Sequence, residues 1–368
     1  MKVLFYTNIP SPYRVAFFNE LGKHCELTVI FETASSKERD DAWKVFEFKN
    51  FTGIILKGIY TRVDAAFCPG IIKYLKKNEY DHIVVTQLAS LTAVWMVAYM
   101  RIRGITYCYE GDGGFVGSTK GLKALLKKFI IGNASFCLST SNEFDKYCLA
   151  YGANKIYRYS FTSVANKDVL YCPVEKDNRR LQKEKIGIKE EYAIISVGQF
   201  IYRKGFDVLL EACRFLPYNV GIYIVGGKPT EEYLEIQRKW DLQNVHFVDF
   251  MSKEKLMEYY KASDLFVLPT REDIWGLVIN EAMSCGLPVV STQKCIAALE
   301  MVRNGENGYV VPVDDALAVR KAVETILESE KLQNKMSYMA LQTVRERYTI
   351  ENMAREHIQI FEKESKEI

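Results

Sequence analysis

Short runs of β-branched and aromatic residues alternate along the chain with segments whose apolar residues recur at helical spacing. That alternation is the pattern of βαβ units, which build parallel sheets. In the first half, Val3–Thr7, Leu27–Phe31, Ile83–Thr86, Ile105–Tyr109 and Phe136–Thr140 are predicted strands. In the second half, Ile194–Phe200, Gly221–Gly226, Val245–Phe250, Leu265–Pro269 and Val289–Ser291 repeat the grammar. Two αβ domains are expected, because 368 residues exceed the size at which one hydrophobic core usually keeps growing. Lys167–Lys189 is charged, carries Pro173 and has little apolar periodicity except a short helical pattern near its end, so the boundary falls there. The domains are then 1–166 and 167–349. After Asp314 the pattern is helical, and the amphipathic stretch Ile350–Lys363, with Met353, Ile358, Ile360 and Phe361 apolar, is expected to return to the first domain as a helix over 350–368.

Composition narrows the class. With 48% hydrophobic and 26% charged residues the chain is an ordinary globular protein. Its 49 Lys and Arg nearly balance 46 Asp and Glu, and a net charge of +3 supplies no global field for nucleic acid. Nine cysteines lack CxxC pairing or histidines at metal spacing, so they read as free thiols, mostly small buried hydrophobes, in a reducing compartment. The first apolar run stops at Asn8 and Pro10 before a signal-peptide core forms. Leu88–Met100 is shorter than the ~20 residues a membrane helix needs and reads as a buried helix. A cytoplasmic protein is expected. His24, His82, His246 and His357 show no partner spacing, so neither metal nor triad chemistry is expected.

Two segments carry candidate chemistry. From Asp264 to Val290 the sequence reads as strand, loop, short helix and strand, with Gly276 opening the helix, Gly286 closing it and Pro288 preventing its continuation. Backbone N–H groups around Gly276, Leu277 and Val278, at the positive end of the helix dipole, make a phosphate site. Glu281, about one and a half turns further in, can accept hydrogen bonds from ribose hydroxyls, and Asp273 precedes the helix on the sugar side. The second segment, Val197–Asp207, is a strand, a glycine-bearing loop and a helix. There Arg203 can fork two phosphate oxygens, Lys204 adds a compact charge and Gly205 permits close backbone approach. Each signal alone is ordinary: an Arg-Lys pair is usually a solvated loop, and acids near a helix start often complement its dipole. Their joint occurrence in one αβ half gives them weight.

Asp264–Ser291 closely resembles the donor motif of the large retaining glycosyltransferase family with the GT-B fold, the family 4 or group 1 type. That motif has two glutamates separated by seven residues, a spacing kept here between Asp273 and Glu281. The family's Glu-Pro-Trp-Gly-Leu-Val is matched by Asp273-Ile274-Trp275-Gly276-Leu277-Val278, with the first carboxylate one methylene shorter and Glu272 as the substitute candidate. The resemblance implies that Gly198, Arg203 and Lys204 bind the donor diphosphate, with Trp275 to Val278 beside it. It also implies two facing Rossmann-like domains, a UDP- or GDP-linked sugar as donor substrate, no cofactor, and retaining transfer of a hexose-type sugar in cell-surface polysaccharide biosynthesis. No DxD sequence suggests a metal-held diphosphate, so metal independence is expected.

In the first half, Thr7–Arg14 follows the first strand and resembles the family's N-terminal loop, although Pro10 and Pro12 exclude a GxGxxG dinucleotide turn. Asn8 and Arg14 are candidates for acceptor or phosphate contact, the alternative for Arg14 being a plain surface arginine. Many family members have a sugar-contacting histidine near Tyr109–Gly114, and this sequence has none there. Glu110 or Asp112 takes a related role, or the glycines simply make a tight turn. Lys120, Lys123, Lys127 and Lys128 interleave with Leu122, Leu125, Leu126, Phe129 and Ile130. Such a helix ordinarily packs its apolar face on the sheet; the alternative is that it lies on an anionic membrane, an option the resemblance raises because many relatives extend lipid-linked glycans. The expected partners are a nucleotide-sugar donor and a glycan or lipid-linked acceptor, without nucleic acid. The rivals are a catalytically silent sugar-binding or partner-stabilising subunit, and an epimerase or phosphorylase on the same fold.

Overall fold

The computed structural model describes residues 1–34, 47–62, 65–88, 90–217 and 219–367, which divide into two compact units. The first comprises Met1–Ser163 with Thr349–Ile368, and the second Val164–Tyr348.

The first unit runs β1 (Lys2–Thr7), α1 (Pro12–Leu21), β2 (Glu26–Phe31), β3 (Thr52–Ile55), a hairpin of β4 (Ile59–Arg62) and β5 (Ala65–Phe67), β6 (His82–Val85), α2 (Leu91–Arg103), β7 (Cys108–Glu110), α3 (Leu122–Ile131), β8 (Cys137–Ser139), α4 (Asn142–Ala150) and β9 (Ile156–Arg158). Its sheet is wholly parallel, in the order β3-β2-β1-β6-β7-β8-β9. β6 and all but the first residue of β1 are buried, as helix-covered parallel strands must be. The expected strand from Ile105 begins instead at Cys108, because the N–H of Ile105 returns 2.8 Å to the Met100 carbonyl and closes α2 over Gly104, whose φ is 62°.

The second unit runs α5 (Lys176–Ile186), β10 (Tyr192–Val197), α6 (Phe206–Cys213), β11 (Val220–Val225), α7 (Glu231–Lys239), β12 (Val245–Val248), α8 (Lys253–Ala262), β13 (Leu265–Leu268), α9 (Leu277–Ser284), β14 (Val289–Thr292), α10 (Ile296–Met301), β15 (Gly308–Val311), α11 (Ala316–Leu327) and α12 (Glu330–Glu346). Its sheet is also parallel, in the order β12-β11-β10-β13-β14-β15. Ile194, Ile222, Leu265 and Val267 of the strands pack against Phe206, Leu209, Val323 and Ile326 of α6 and α11.

Each sheet has a point where the strand order reverses, at β1 between β2 and β6 and at β10 between β11 and β13. The loops leaving the carboxyl ends there part and leave room for a ligand. α5 is held differently from an amphipathic helix. Buried Arg179 and Lys183 reach the two oxygens of Asp264 at 3.0 and 2.7 Å, and the N–H of Ala193 donates to the same carboxylate at 2.8 Å. The last helix, α13 (Ile350–Glu367), belongs to the first unit. It packs along α1, its Phe361 ring stacks on His82 at 4.8 Å, and Glu364 accepts from the Tyr157 hydroxyl at 2.6 Å. Among the described residues no helix is long and apolar enough to cross a membrane.

Candidate functional site

The second unit gathers the cationic loop and the acidic segment at its switch point. Gly205 has φ 69°, and a side chain there would put Cβ 2.0 Å from the Pro269 carbonyl oxygen, so only glycine lets the loop after β10 press on the end of β13. The Lys204 side chain lies across Gly198, where an added Cβ would meet it at 3.1 to 3.4 Å. Lys204 then reaches Asp273 at 2.6 Å, while Arg203 lies 3.5 Å from the other Asp273 oxygen and donates to the Glu272 carbonyl at 2.7 Å. Asp273 is buried and serves both cations, whereas the Glu272 side chain is exposed. Arg203 keeps 45% of its side-chain surface exposed, enough to meet a ligand.

Asp273 to Trp275 run beside Lys294 to Ala297 and are stitched to them by backbone hydrogen bonds of 2.8 to 3.2 Å. Gly276 turns the chain into α9 with φ 103°, against Cys295, whose sulfur would lie 2.8 Å from an added Cβ. The first-turn amides of α9, at Leu277 and Val278, have no intrahelical partner by geometry and point out of the helix start. Glu281, half-buried on α9, accepts from the Tyr260 hydroxyl at 3.3 Å. Burial, followed by the charge of Glu281, pushes that hydroxyl well above its ordinary value. The Trp275 ring is buried and its indole N–H donates to Asn280 at 2.8 Å, so its side chain supports the loop from within.

The first unit assembles a second cluster at the ends of β1 and β7. Asn8 lies on the loop after β1, its carbonyl accepting from the Thr33 N–H at 2.9 Å. Arg14, in the first turn of α1, is buried rather than on the surface. One arm donates to Glu110 at 2.6 Å, and the other to Asp112. Tyr159 donates to the same Glu110 oxygen at 3.1 Å, and Tyr13 to Asp112 at 3.2 Å. Glu110 has no exposed side-chain surface, so of the two acids only Asp112, at 28%, faces outward. Burial alone would raise the Glu110 carboxyl, but Arg14 and His357 outweigh it and hold it at about 2. Burial keeps Asp112 above the usual carboxylate range against the pull of Arg14. Gly111 between them cannot take a side chain, since Cβ would lie 2.4 Å from the Phe144 ring.

With these arrangements in place, similarity to known proteins can be weighed. The profile of the family Glycosyl transferases group 1 matches residues 178–343. Over this segment the chain is similar to the group 1 glycosyl transferases. The capsular polysaccharide biosynthesis glycosyltransferase CapM of Staphylococcus aureus is 25% identical over 202 residues, covering 53% of this chain and 52% of that protein. The chain spans about half the length of the first curated relatives it matches. Sucrose-phosphate synthase of Thermosynechococcus elongatus aligns over 100% of both chains with a TM-score of 0.79 at 18% identity. HepE of Anabaena in complex with UDP aligns over 99% of this chain and 100% of that one with a TM-score of 0.79 at 17% identity. At such identities the likeness shows the fold, and it is the GT-B fold expected from the sequence.

The matched segment contains one further residue that binds its parts together. Arg271 forks Asp207 at 2.9 and 2.6 Å, reaches Asp314 at 2.7 Å and lies 3.8 Å over the Tyr202 ring, tying the cationic loop to the acidic segment. One histidine in each unit meets a carboxylate far from it in sequence. His357 Nε2 lies 3.4 Å from Glu110, and His246 Nε2 lies 2.6 Å from Glu190. Chain folding creates both pairs, and no sequence spacing announces them. Among the described residues no group of three or more metal-ligating side chains could hold an ion. On α3, Ala124, Ile130 and Ile131 are buried, while Leu122 and Leu125 are 73% and 63% exposed. Lys127 leaves the outward set, because its ammonium lies 4.9 and 4.8 Å over the rings of Tyr147 and Tyr151.

The buried pair makes a stability prediction. Glu110→Gln leaves Arg14 a buried charge with one carboxylate instead of two, and is expected to cost about 3 to 5 kcal/mol. Because the folded value of Glu110 lies below its ordinary 4.5, its stabilisation is full above that value and is lost as pH falls toward about 2. Urea denaturation of parent and variant should show a gap that is wide near pH 7 and shrinks below pH 4.5. A gap independent of pH would show that the carboxylate charge is not its source.

Proposed function

We propose that the chain is a retaining glycosyltransferase that moves a hexose-type sugar from a UDP- or GDP-linked donor to a glycan or lipid-linked acceptor in cell-surface polysaccharide biosynthesis. One observation carries the reading: Arg203 and Lys204 are fixed beside Asp273 and the start of α9, at the switch point of the second sheet. That HepE was solved with UDP, and that CapM is a capsular polysaccharide glycosyltransferase, support the donor and the setting.

In this reading the diphosphate lies on the first-turn amides of α9 and on Arg203 and Lys204, and Glu281 takes the ribose hydroxyls. Asp273 orients the two cations, and Asp112 of the first unit receives a sugar or acceptor hydroxyl. As the bond between the anomeric carbon and the phosphate oxygen breaks, its electron pair goes to the phosphate. The acceptor oxygen bonds to the same face of the sugar and gives its proton to the departing phosphate. Negative charge on the diphosphate grows through this step, so the cations bind the transition state more tightly than the substrate.

Arg203→Ala is expected to lower kcat by about 10²-fold, and Arg203→Lys to restore part of it without the two-pronged contact. Steady-state kinetics on a fixed donor and acceptor would decide. Parental kcat with only a raised KM would assign Arg203 to uniform donor binding, and donor binding without any transfer would point to a silent subunit.

The diphosphate is proposed to be held without a metal, so transfer should continue in excess EDTA. Loss of activity with chelator and recovery with magnesium or manganese would overturn this.

The acceptor is proposed to be met at an anionic membrane, with Leu122 and Leu125 of α3 entering the interface between Lys120, Lys123 and Lys128. Binding to liposomes should then require anionic lipid and fade as salt shortens the screening length, about 10 Å at ~0.1 M. Binding that ignores salt, or none, would leave α3 as a packing element.

A further inference from the structure

His357 is fully buried on α13 and takes no part in the reaction described above. Its surroundings leave it a single orientation. Nδ1 lies 2.8 Å from the Met353 carbonyl of its own helix, and the ring is packed by Phe17 and Tyr159 at centroid distances of 4.9 and 4.4 Å. The remaining nitrogen, Nε2, is thereby aimed at Glu110 Oε2, 3.4 Å away. Neither atom has a hydrogen-bond partner, and both are shut off from solvent, so each is the nearest compensation the other has.

We infer that His357 is a positioning residue: through Glu110 and Arg14 it fixes where Asp112 is presented. The sequence of contacts is continuous. His357 restrains one oxygen of Glu110, which leaves the other to Arg14 at 2.6 Å and Tyr159 at 3.1 Å. Arg14 is a rigid planar fork, so the arm that meets Glu110 sets the direction of the arm that meets Asp112. Tyr13 closes the arrangement on the second Asp112 oxygen at 3.2 Å. Asp112 is the acid of this cluster with outward surface, so displacement at the buried end is felt where a hydroxyl would bind. The inference rests on the reading that Asp112 meets a sugar or acceptor hydroxyl.

A double-mutant cycle tests it on the full chain. His357→Phe keeps the aromatic packing and removes both nitrogens. Transfer kcat/KM is expected to fall about tenfold, since small misplacements of positioning groups cost one to two orders of magnitude. Affinity for the nucleoside diphosphate that the parent enzyme releases should stay within about twofold, because that site is proposed for the second unit. In an Asp112→Asn background the same substitution should add less than about twofold, because the group it positions is already gone. His357→Gln retains an N–H donor facing Glu110 and is expected to recover most of the activity; His357→Leu, which also lacks both nitrogens, replaces the phenylalanine variant in the cycle if that variant does not fold. Parental kcat/KM in a folded His357→Phe, or equal losses in both backgrounds, would overturn the positioning role. A parent that transfers sugar from no donor would overturn the functional reading itself, and this inference with it.

Discussion

Both units depend on one strand whose two neighbours are reached by crossovers running in opposite directions. β1 has β2 on one side and β6 on the other, and β10 has β11 and β13. A parallel strand cannot return to its neighbour through a tight turn, so each connection leaves by its own loop, and at these two strands the loops diverge. Everything assigned to chemistry in the second unit hangs on that divergence. The backbone of Gly205 closes against Pro269 because no side chain intervenes, and this contact brings Arg203 and Lys204 to the segment that opens α9.

The two charged clusters share a motif and differ in burial. In each, one carboxylate faces two cationic or basic groups, Asp273 with Lys204 and Arg203, and Glu110 with Arg14 and His357. Arg203 is nearly half exposed, while Arg14 and His357 are enclosed. An exposed guanidinium can exchange water for an incoming anion at modest cost, whereas a buried one already committed to two carboxylates has little left to offer a ligand. The first arrangement suits recognition and the second suits rigidity.

What could be read in the sequence follows from what periodicity records. The strands at the centres of the two sheets are apolar runs buried over most of their length, and they lie within a few residues of their predicted bounds. The edge strands β3, β9 and β15 escaped notice because they are short and half-buried, and an edge needs no continuous apolar run. α5 yielded only a faint helical pattern because Arg179 and Lys183 take the places that apolar residues would hold. At the candidate sites, Arg203, Lys204 and Asp273 stand in recognisable order along the chain and do meet. Arg271 sat inside the same motif unremarked, since nothing local shows that a loop arginine will find Asp207 and Asp314. His357 and Glu110 are brought together from far apart in the chain, and spacing rules say nothing of such pairs.

The return of α13 to the first unit sets an order of events during synthesis. The sheet from β1 to β9 leaves the ribosome before any of the second unit, yet the helix that covers α1, stacks Phe361 on His82 and faces Glu110 with His357 is made after all of it. At translation rates of ~5–20 residues per second, the second unit takes about 10 to 40 seconds to emerge. Throughout that interval the nascent first unit carries an uncovered aromatic face and a buried-type carboxylate lacking its histidine. Completion of the first unit therefore waits on synthesis of the second, and a chain cut after Tyr348 leaves the first unit without its covering helix.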